Sequence, residues 1–221
     1  MARRNPAQAG NRGRASSGGN ARRGGSGGVR RRDQEVLDAA AQIFYERGYA
    51  EASVQDIADS LGMLKGSLYY YIDTKEDLLF RILQQVHDEV DAILEETLAL
   101  EVSAPLERLR AYVRSLVLYT TGNLPKMSVY YHDIDSLSGE RREIVLGRRR
   151  RHQEFVAELI QEAQGSGAAT TSADPRLTRD FVFGALIWVY RWYRPRGRYR
   201  REVIADECAE FILHGVVGRP S

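Results

Sequence analysis

Residues Gly62–Leu79 read GMLKGSLYYYIDTKEDLL and set two of the chain's three lysines, Lys65 and Lys75, on either side of three consecutive tyrosines. Successive helix residues lie about 100° apart, so Tyr69, Tyr70 and Tyr71 cannot all face one core. At least one ring is offered outwards. Ammonium, hydroxyl and phenol groups in one short stretch are the chemistry that meets phosphate oxygens and base edges. No Asp or Glu interrupts it from Gly62 to Ile72. Gly66 lets the backbone approach a phosphate, with its amide in the positive first turn of a helix. Ser67 adds a hydroxyl. Lys75 stands at a helix start, where a cation is misplaced unless a partner such as phosphate balances it. Leu68 and Ile72, four apart, face inwards with Tyr71, which leaves Tyr69 and Tyr70 projecting.

A second set of candidates lies further on. A helix expected at Met127–Ser136 carries Tyr130, Tyr131 and His132, and the next carries Arg148–Arg151 and then Phe155. Four consecutive helix residues sweep about 300°, so the arginines cannot all point away from the core. One of them, Arg148 here, is a candidate partner for an anionic ligand. The competing reading is a solvated face paired with acids such as Glu143 and Glu154.

Catalytic signatures are missing. There is no Cys/His metal spacing, P-loop or GxSxG, and His87, His132, His152 and His214 are scattered without a Glu-x-x-His pair. HDID at His132–Asp135 reads as surface. No catalytic residue, metal or cofactor is expected.

These groups need helices to position them. From Arg30 onward the apolar spacing is helical, without a period-2 strand. The first helix, Arg31–Arg47, sets Val36, Leu37, Ala40, Ile43 and Phe44 on one stripe and stops at Gly48. Ser53 opens the second through SVQD, a capping-box pattern with Asp56, and Gly62 ends it. A third, Lys65–Tyr71, follows. Thr74 caps a long fourth through TKED, expected to run to Leu100. Further helices are expected at Pro105–Thr121, Glu140–Gln164, Pro175–Tyr193 and Arg200–Gly215. Two short helices joined at LGML before a long one form the skeleton of a helix-turn-helix, whose second helix enters the DNA major groove.

Bulk properties agree with such a protein. The chain has 221 residues, enough for one domain or two small ones. It lacks both a membrane-length apolar run and the apolar centre of a secretion signal. The lone Cys208 fits a reducing cytoplasm, so a cytoplasmic, nucleoid-associated protein is expected. Residues 1–32 hold nine arginines and no acid, which leaves the remainder at −7 when nine is taken from the overall +2. Residues 1–28 are Gly-, Ser- and Arg-rich and read as a disordered tail. The tail is either a solvated leader or an arm along nucleic-acid phosphates.

SVQDIADSLGMLKGSLYYYIDTKEDLL resembles the DNA-binding signature of the TetR family of transcriptional repressors. The likeness covers Val29–Leu79 closely and the helical remainder in layout. It implies an all-α protein, with a three-helix DNA-binding domain (29–79) on a ligand-binding and dimerisation domain (80–217). Val54, Gln55, Lys65, Gly66, Ser67, Tyr69 and Tyr70 would face operator DNA, and Lys75 would clamp a phosphate. Leu64 departs from the small polar N-cap common in the family; it either leaves the recognition helix uncapped or meets a thymine methyl. Tyr71 and Ile72 stand where His and Phe are common.

The segment RDFVFGALIWVYRWYRPRGRY is apolar on nearly all sides, as a helix buried against several partners is. With the following amphipathic helix it resembles the family's two-helix dimer face, implying a four-helix bundle across a two-fold axis. WVYRWYRPRG looks like a subgroup tied to fatty-acid or steroid catabolism, several of which answer to acyl-CoA thioesters. That implies Trp188, Trp192 and Tyr130 along an apolar channel, and Arg191 or Arg194 near its mouth. The expectation is a homodimeric, ligand-responsive repressor. Its rivals are an architectural DNA binder driven by the basic tail and a small helical enzyme acting on acyl thioesters.

Overall fold

The computed structural model describes residues 25–102, 104–170 and 172–218. Among them the chain forms nine α-helices and no strand: α1 (Gly25–Arg47), α2 (Val54–Ser60), α3 (Lys65–Leu68), α4 (Lys75–Leu98), α5 (Pro105–Gly122), α6 (Leu124–Asp133), α7 (Gly139–Gly165), α8 (Pro175–Trp192) and α9 (Arg201–Val217). A 3₁₀ turn, Ile134–Ser136, follows α6. The expected tail lies outside the described residues except at 25–28. There α1 begins.

Local chemistry sets the N-terminal helices. Gly48 takes φ 82°, the left-handed conformation that ends α1, and its N–H donates to the Phe44 carbonyl. Ser53 caps α2 in a full capping box: its hydroxyl accepts from the Asp56 N–H, and the Asp56 carboxylate accepts from the Ser53 N–H at 2.8 Å. Thr74 caps α4 by accepting from the Asp77 N–H at 3.0 Å.

Two hydrophobic cores result. The first joins α1, α2, α3 and the start of α4, through Val36, Phe44, Ile57, Leu68, Leu78 and Ile82, to Met127 and Val129 of α6 and Val145 of α7. The second gathers the end of α4 at Leu94 with α5, α7, α8 and α9. The cores meet along α4, and α6 packs with the N-terminal one. Lys126 of α6 reinforces that placement, with its ammonium 3.4 Å from Asp38 of α1 and 3.6 Å from Glu89 of α4. Glu89 also accepts from the Tyr119 hydroxyl at 2.7 Å.

Candidate functional site

The second helix of the helix-turn-helix is shorter than its sequence suggests. α3 makes one turn, after which the Tyr70 and Tyr71 N–H groups reach back three residues, to Ser67 and Leu68. Such bonds mark tighter 3₁₀ turns. Its start has no side-chain cap: Leu64 holds an extended backbone there and is 80% exposed. Leu68 and Ile72 are buried and Tyr71 packs on the same core, while Tyr69 and Tyr70 stand 48% and 89% exposed. Lys65, Gly66 and Gln55 are also exposed, and Ser67 is half-buried. Gln55 donates to Asp59 at 2.7 Å. Val54 packs partly against the N-terminal core, which limits what it offers outwards.

Lys75 departs from its expected role. Its ammonium donates to the carbonyls of Tyr49 (2.7 Å), Ala52 (2.9 Å) and Ala50 (3.2 Å). A lysine has three N–H donors, so all are engaged within the chain. The misplaced cation is balanced by a ring of carbonyls rather than by an outside phosphate.

The second site is a cavity of about 50 Å³ lined by residues of α4, α5, α6, α7 and α8. Val86, Val90, Leu116, Met127, Phe183 and Leu186 make it largely apolar; His87, Tyr112, Tyr130, Tyr131, His152 and Arg149 bring polar groups. Tyr130 and Tyr131 both line it. Burial pushes the Tyr130 phenol up to about 12, against the opposing pull of Arg149 and Arg148.

Several candidates lie elsewhere. Arg148 does not line the cavity: it pairs with Asp91 at 2.5 Å and Asp88 at 2.7 Å, tying α7 to α4. Its neighbour Arg149, one helix step round, is the arginine on the cavity wall. Phe155 sits behind the wall, edge-on to Tyr112 at 5.2 Å. Trp188 and Trp192 are exposed on the outer face of α8 with Phe181, and Arg191 stacks over Trp188 in the open. An apolar-all-round helix cannot disclose which side faces inwards; Phe183, Leu186 and Ile187 take the cavity side.

A buried polar chain that runs back from the cavity wall escaped the sequence reading. His152 is bonded through Nδ1 to the Tyr112 hydroxyl (2.7 Å) and through Nε2 to Asp91 (2.8 Å). Burial pushes the Asp91 carboxyl up, but bonds and charge from Arg148 and His152 outweigh this and hold it below the usual range. Ionised Asp91 accepts from His152 Nε2–H, so Nδ1 accepts from Tyr112. Burial keeps both His152 and His87 below the ordinary imidazole value, His87 at about 4. The available signal was spacing: His87 and Asp91, and Arg148 and His152, are i,i+4 pairs on one stripe of their helices. Among the described residues, no group of three His, Cys, Asp or Glu side chains is placed to hold a metal, and no helix is long and apolar enough to cross a membrane.

Comparison with known proteins agrees with this arrangement. Residues 36–82 match the model for bacterial regulatory proteins of the tetR family, and residues 102–216 match the tetracyclin repressor-like C-terminal domain. The chain is similar to the HTH-type transcriptional repressor KstR2 of Rhodococcus jostii (strain RHA1), 28% identical over 188 residues covering 84% of this chain and 91% of that one. Among solved structures it resembles AibR in complex with isovaleryl coenzyme A and operator DNA, at 31% identity and TM-score 0.75, covering 81% of this chain and 97% of AibR. It also resembles the ketosteroid transcriptional regulator KstR2 of Mycobacterium tuberculosis, at 25% identity and TM-score 0.79, covering 83% and 94%. With both halves matched and the helix-turn-helix in place, the chain belongs to the TetR family of transcriptional regulators.

Proposed function

We propose that the protein is a homodimeric repressor that grips operator DNA of the nucleoid through residues 29–79 and releases it when a small acyl thioester, of the acyl-CoA kind, enters the cavity of residues 80–217. One observation carries the reading. α6 contributes Met127, Tyr130 and Tyr131 to the cavity wall, and Met127 and Tyr130 also belong to the N-terminal core that supports the helix-turn-helix. At about 50 Å³ the cavity has room for a few waters or a short aliphatic segment, not a whole thioester. Entry of a larger ligand therefore displaces a wall, and a shift of α6 or α4 is passed to the DNA-binding helices. Affinity falls because one spacing of the two recognition helices fits successive major grooves and the other does not.

Gln55, Lys65, Gly66, Ser67, Tyr69 and Tyr70 are the residues assigned to DNA, with Val54 supporting them and Lys75 holding the loop behind. Arg149 at the cavity supplies a cation for a polar or anionic part of the ligand. The acyl-thioester class is supported by AibR, whose complex contains isovaleryl coenzyme A and operator DNA. Phe181, Trp188, Trp192 and Phe211 leave a large exposed apolar face on α8 and α9, which supports a dimer through those helices. No turnover is assigned: both nitrogens of His152 are engaged in holding Tyr112 and Asp91.

Fluorescence anisotropy on DNA from the gene's own upstream region, against scrambled DNA at ~150 mM salt, tests the proposal. Preferential binding abolished by an acyl-CoA is the expected result. Equal binding to both DNAs, unmoved by any acyl-CoA, would overturn it in favour of an architectural DNA binder.

A further inference from the structure

The guanidinium of Arg81 reaches from α4 to both neighbours of the recognition helix. Its Nη2 meets both carboxylate oxygens of Asp33 in α1 at 2.6 Å, and its Nη1 donates to the Tyr71 carbonyl at 2.7 Å. That carbonyl closes the helical run that presents Tyr69 and Tyr70. A carbonyl at a helix end has no N–H of the next turn to serve it, and here Arg81 supplies the donor. The same Nη1 lies 4.0 Å from Oδ2 of Asp77, one turn earlier on α4. A carboxylate attracts a guanidinium more strongly than a neutral carbonyl does, so an unengaged Asp77 would compete with Tyr71 for that nitrogen.

Asp77 is engaged by Arg141. Nη2 of Arg141 lies 3.4 Å from the other Asp77 oxygen, Oδ1, and the guanidinium sits over the Phe80 ring at 5.1 Å. Arg141 belongs to α7, the helix that carries Arg149 and His152 in the cavity wall; Arg149 is eight residues, about 12 Å, further along. Two more arginines join α7 to α4, Arg148 to Asp88 and Asp91, and Arg151 to Glu95. Asp77 differs from those acids in its second neighbour, the guanidinium that serves the recognition helix.

We propose, on the reading that a ligand in the cavity displaces its walls, that Asp77 is an exchange point between Arg141 and Arg81. With α7 seated on α4, Arg141 occupies the carboxylate and Arg81 is left to hold Tyr71. When ligand moves α7 from α4, Asp77 draws Nη1 of Arg81 to itself and the Tyr71 carbonyl loses its donor. Tyr69 and Tyr70 then lose their fixed placement on the operator. Arg141, Asp77 and Arg81 are positioning residues that act on DNA through Tyr71.

Anisotropy of the full chain on upstream and scrambled DNA tests this before any effector is added. Arg141→Gln frees Asp77 and is expected to weaken operator binding about tenfold. Adding Asp77→Asn to it removes the competitor and restores wild-type affinity, a coupling that a double-mutant cycle reads directly. Asp77→Asn alone binds the operator as the wild type does, and an acyl-CoA that releases the wild type leaves it bound. Arg142, whose guanidinium pairs with Asp135 at 2.9 Å, serves as the control: Arg142→Gln removes the same charge one residue on and keeps wild-type affinity. Wild-type affinity in Arg141→Gln, a double variant as weak as Arg141→Gln, or an equal loss on scrambled DNA, which net charge alone would cause, overturns the exchange. A wild type that no acyl-CoA releases removes the effector reading instead, while the operator affinities of the variants still decide the exchange. Carbon NMR of protein labelled with ¹³C at its tyrosine carbonyls reads the contact itself. The Tyr71 resonance moves upfield in Arg141→Gln and returns in the double variant; a resonance that stays in place in Arg141→Gln counts against the proposal.

Discussion

The Nζ of Lys75 lies 2.7 Å from the carbonyl oxygen of Tyr49 and 4.4 Å from the centre of that residue's ring. A side chain at the start of α4 thus holds the loop between α1 and α2 by backbone and by aromatic face together. The carbonyls of Ala50 and Ala52 complete the grip. The loop leads directly to Ser53, the cap of α2, so Lys75 sets where the helix-turn-helix begins.

Lys75→Met should therefore act on stability first. Three carbonyls lose a charged donor, and a loss of roughly 2 kcal/mol or more is expected in denaturant melts. The slope of log operator affinity against log salt stays as in wild type, since no phosphate contact is removed. A slope reduced by about one, with stability intact, would instead make Lys75 a phosphate ligand.

Tyr69→Ala and Tyr70→Ala should separate binding from folding. Both rings are exposed, so thermal stability changes by no more than about 0.5 kcal/mol and the dimer persists. Operator affinity falls at least about tenfold in anisotropy. Wild-type affinity in both variants would remove the outward tyrosines from the DNA surface.

Leu64→Ser should stabilise the protein. Leu64 already has the extended backbone of an N-cap, φ −70° and ψ 140°, and lacks only an oxygen to receive a helix N–H. A gain of about 0.5–1 kcal/mol is expected, which scanning calorimetry would read as a rise of roughly 1–4 °C. An unchanged melting temperature would show that a single turn is too short to benefit.

Acid should weaken the fold. Buried His87 titrates at about 4 in the folded chain against 6.5 when free, so between these values the unfolded chain binds the extra proton. Stability consequently falls as pH drops from 6.5 to about 4, by roughly 3 kcal/mol from His87 alone. The lowered His152 and Asp91 act in the same direction. Urea melts across that window should show the decline, and His87→Leu should make it shallower.

Phe181→Glu should split the dimer. Phe181 is exposed on α8, on the same face as Trp188 and Trp192, and a buried unpaired carboxylate there disfavours association. Sedimentation at micromolar concentration should show a monomer, with operator affinity lost because two half-sites need two recognition helices. A dimer unaffected by the change would place the interface elsewhere.

What could be read before the structure depended on how local its cause was. The caps at Ser53 and Thr74 and the stop at Gly48 follow from residues within four positions of each other, and each stands as the pattern implied. Arg149 rather than Arg148 is a matter of one residue. That single step of 100° is set by how α7 is rolled against α4 and α8, through contacts some 57 residues apart such as Arg148–Asp91. Lys75 likewise meets carbonyls 23 to 26 residues away. The outward tryptophans of α8 show the same limit: periodicity cannot orient a helix whose apolar residues go all the way round.

Lys126 binds α6 simultaneously to α1 and α4, and so joins the cavity wall to the first helix of the DNA-binding half. Such a strut works in both directions. If ligand entry loosens the hold on DNA, then holding DNA must tighten the cavity against ligand by the same factor, because coupling between two binding equilibria is reciprocal. The operator is thereby an antagonist of the effector. A cell carrying additional copies of that operator would need more of the metabolite to switch on the same genes, with no change in any residue of the protein.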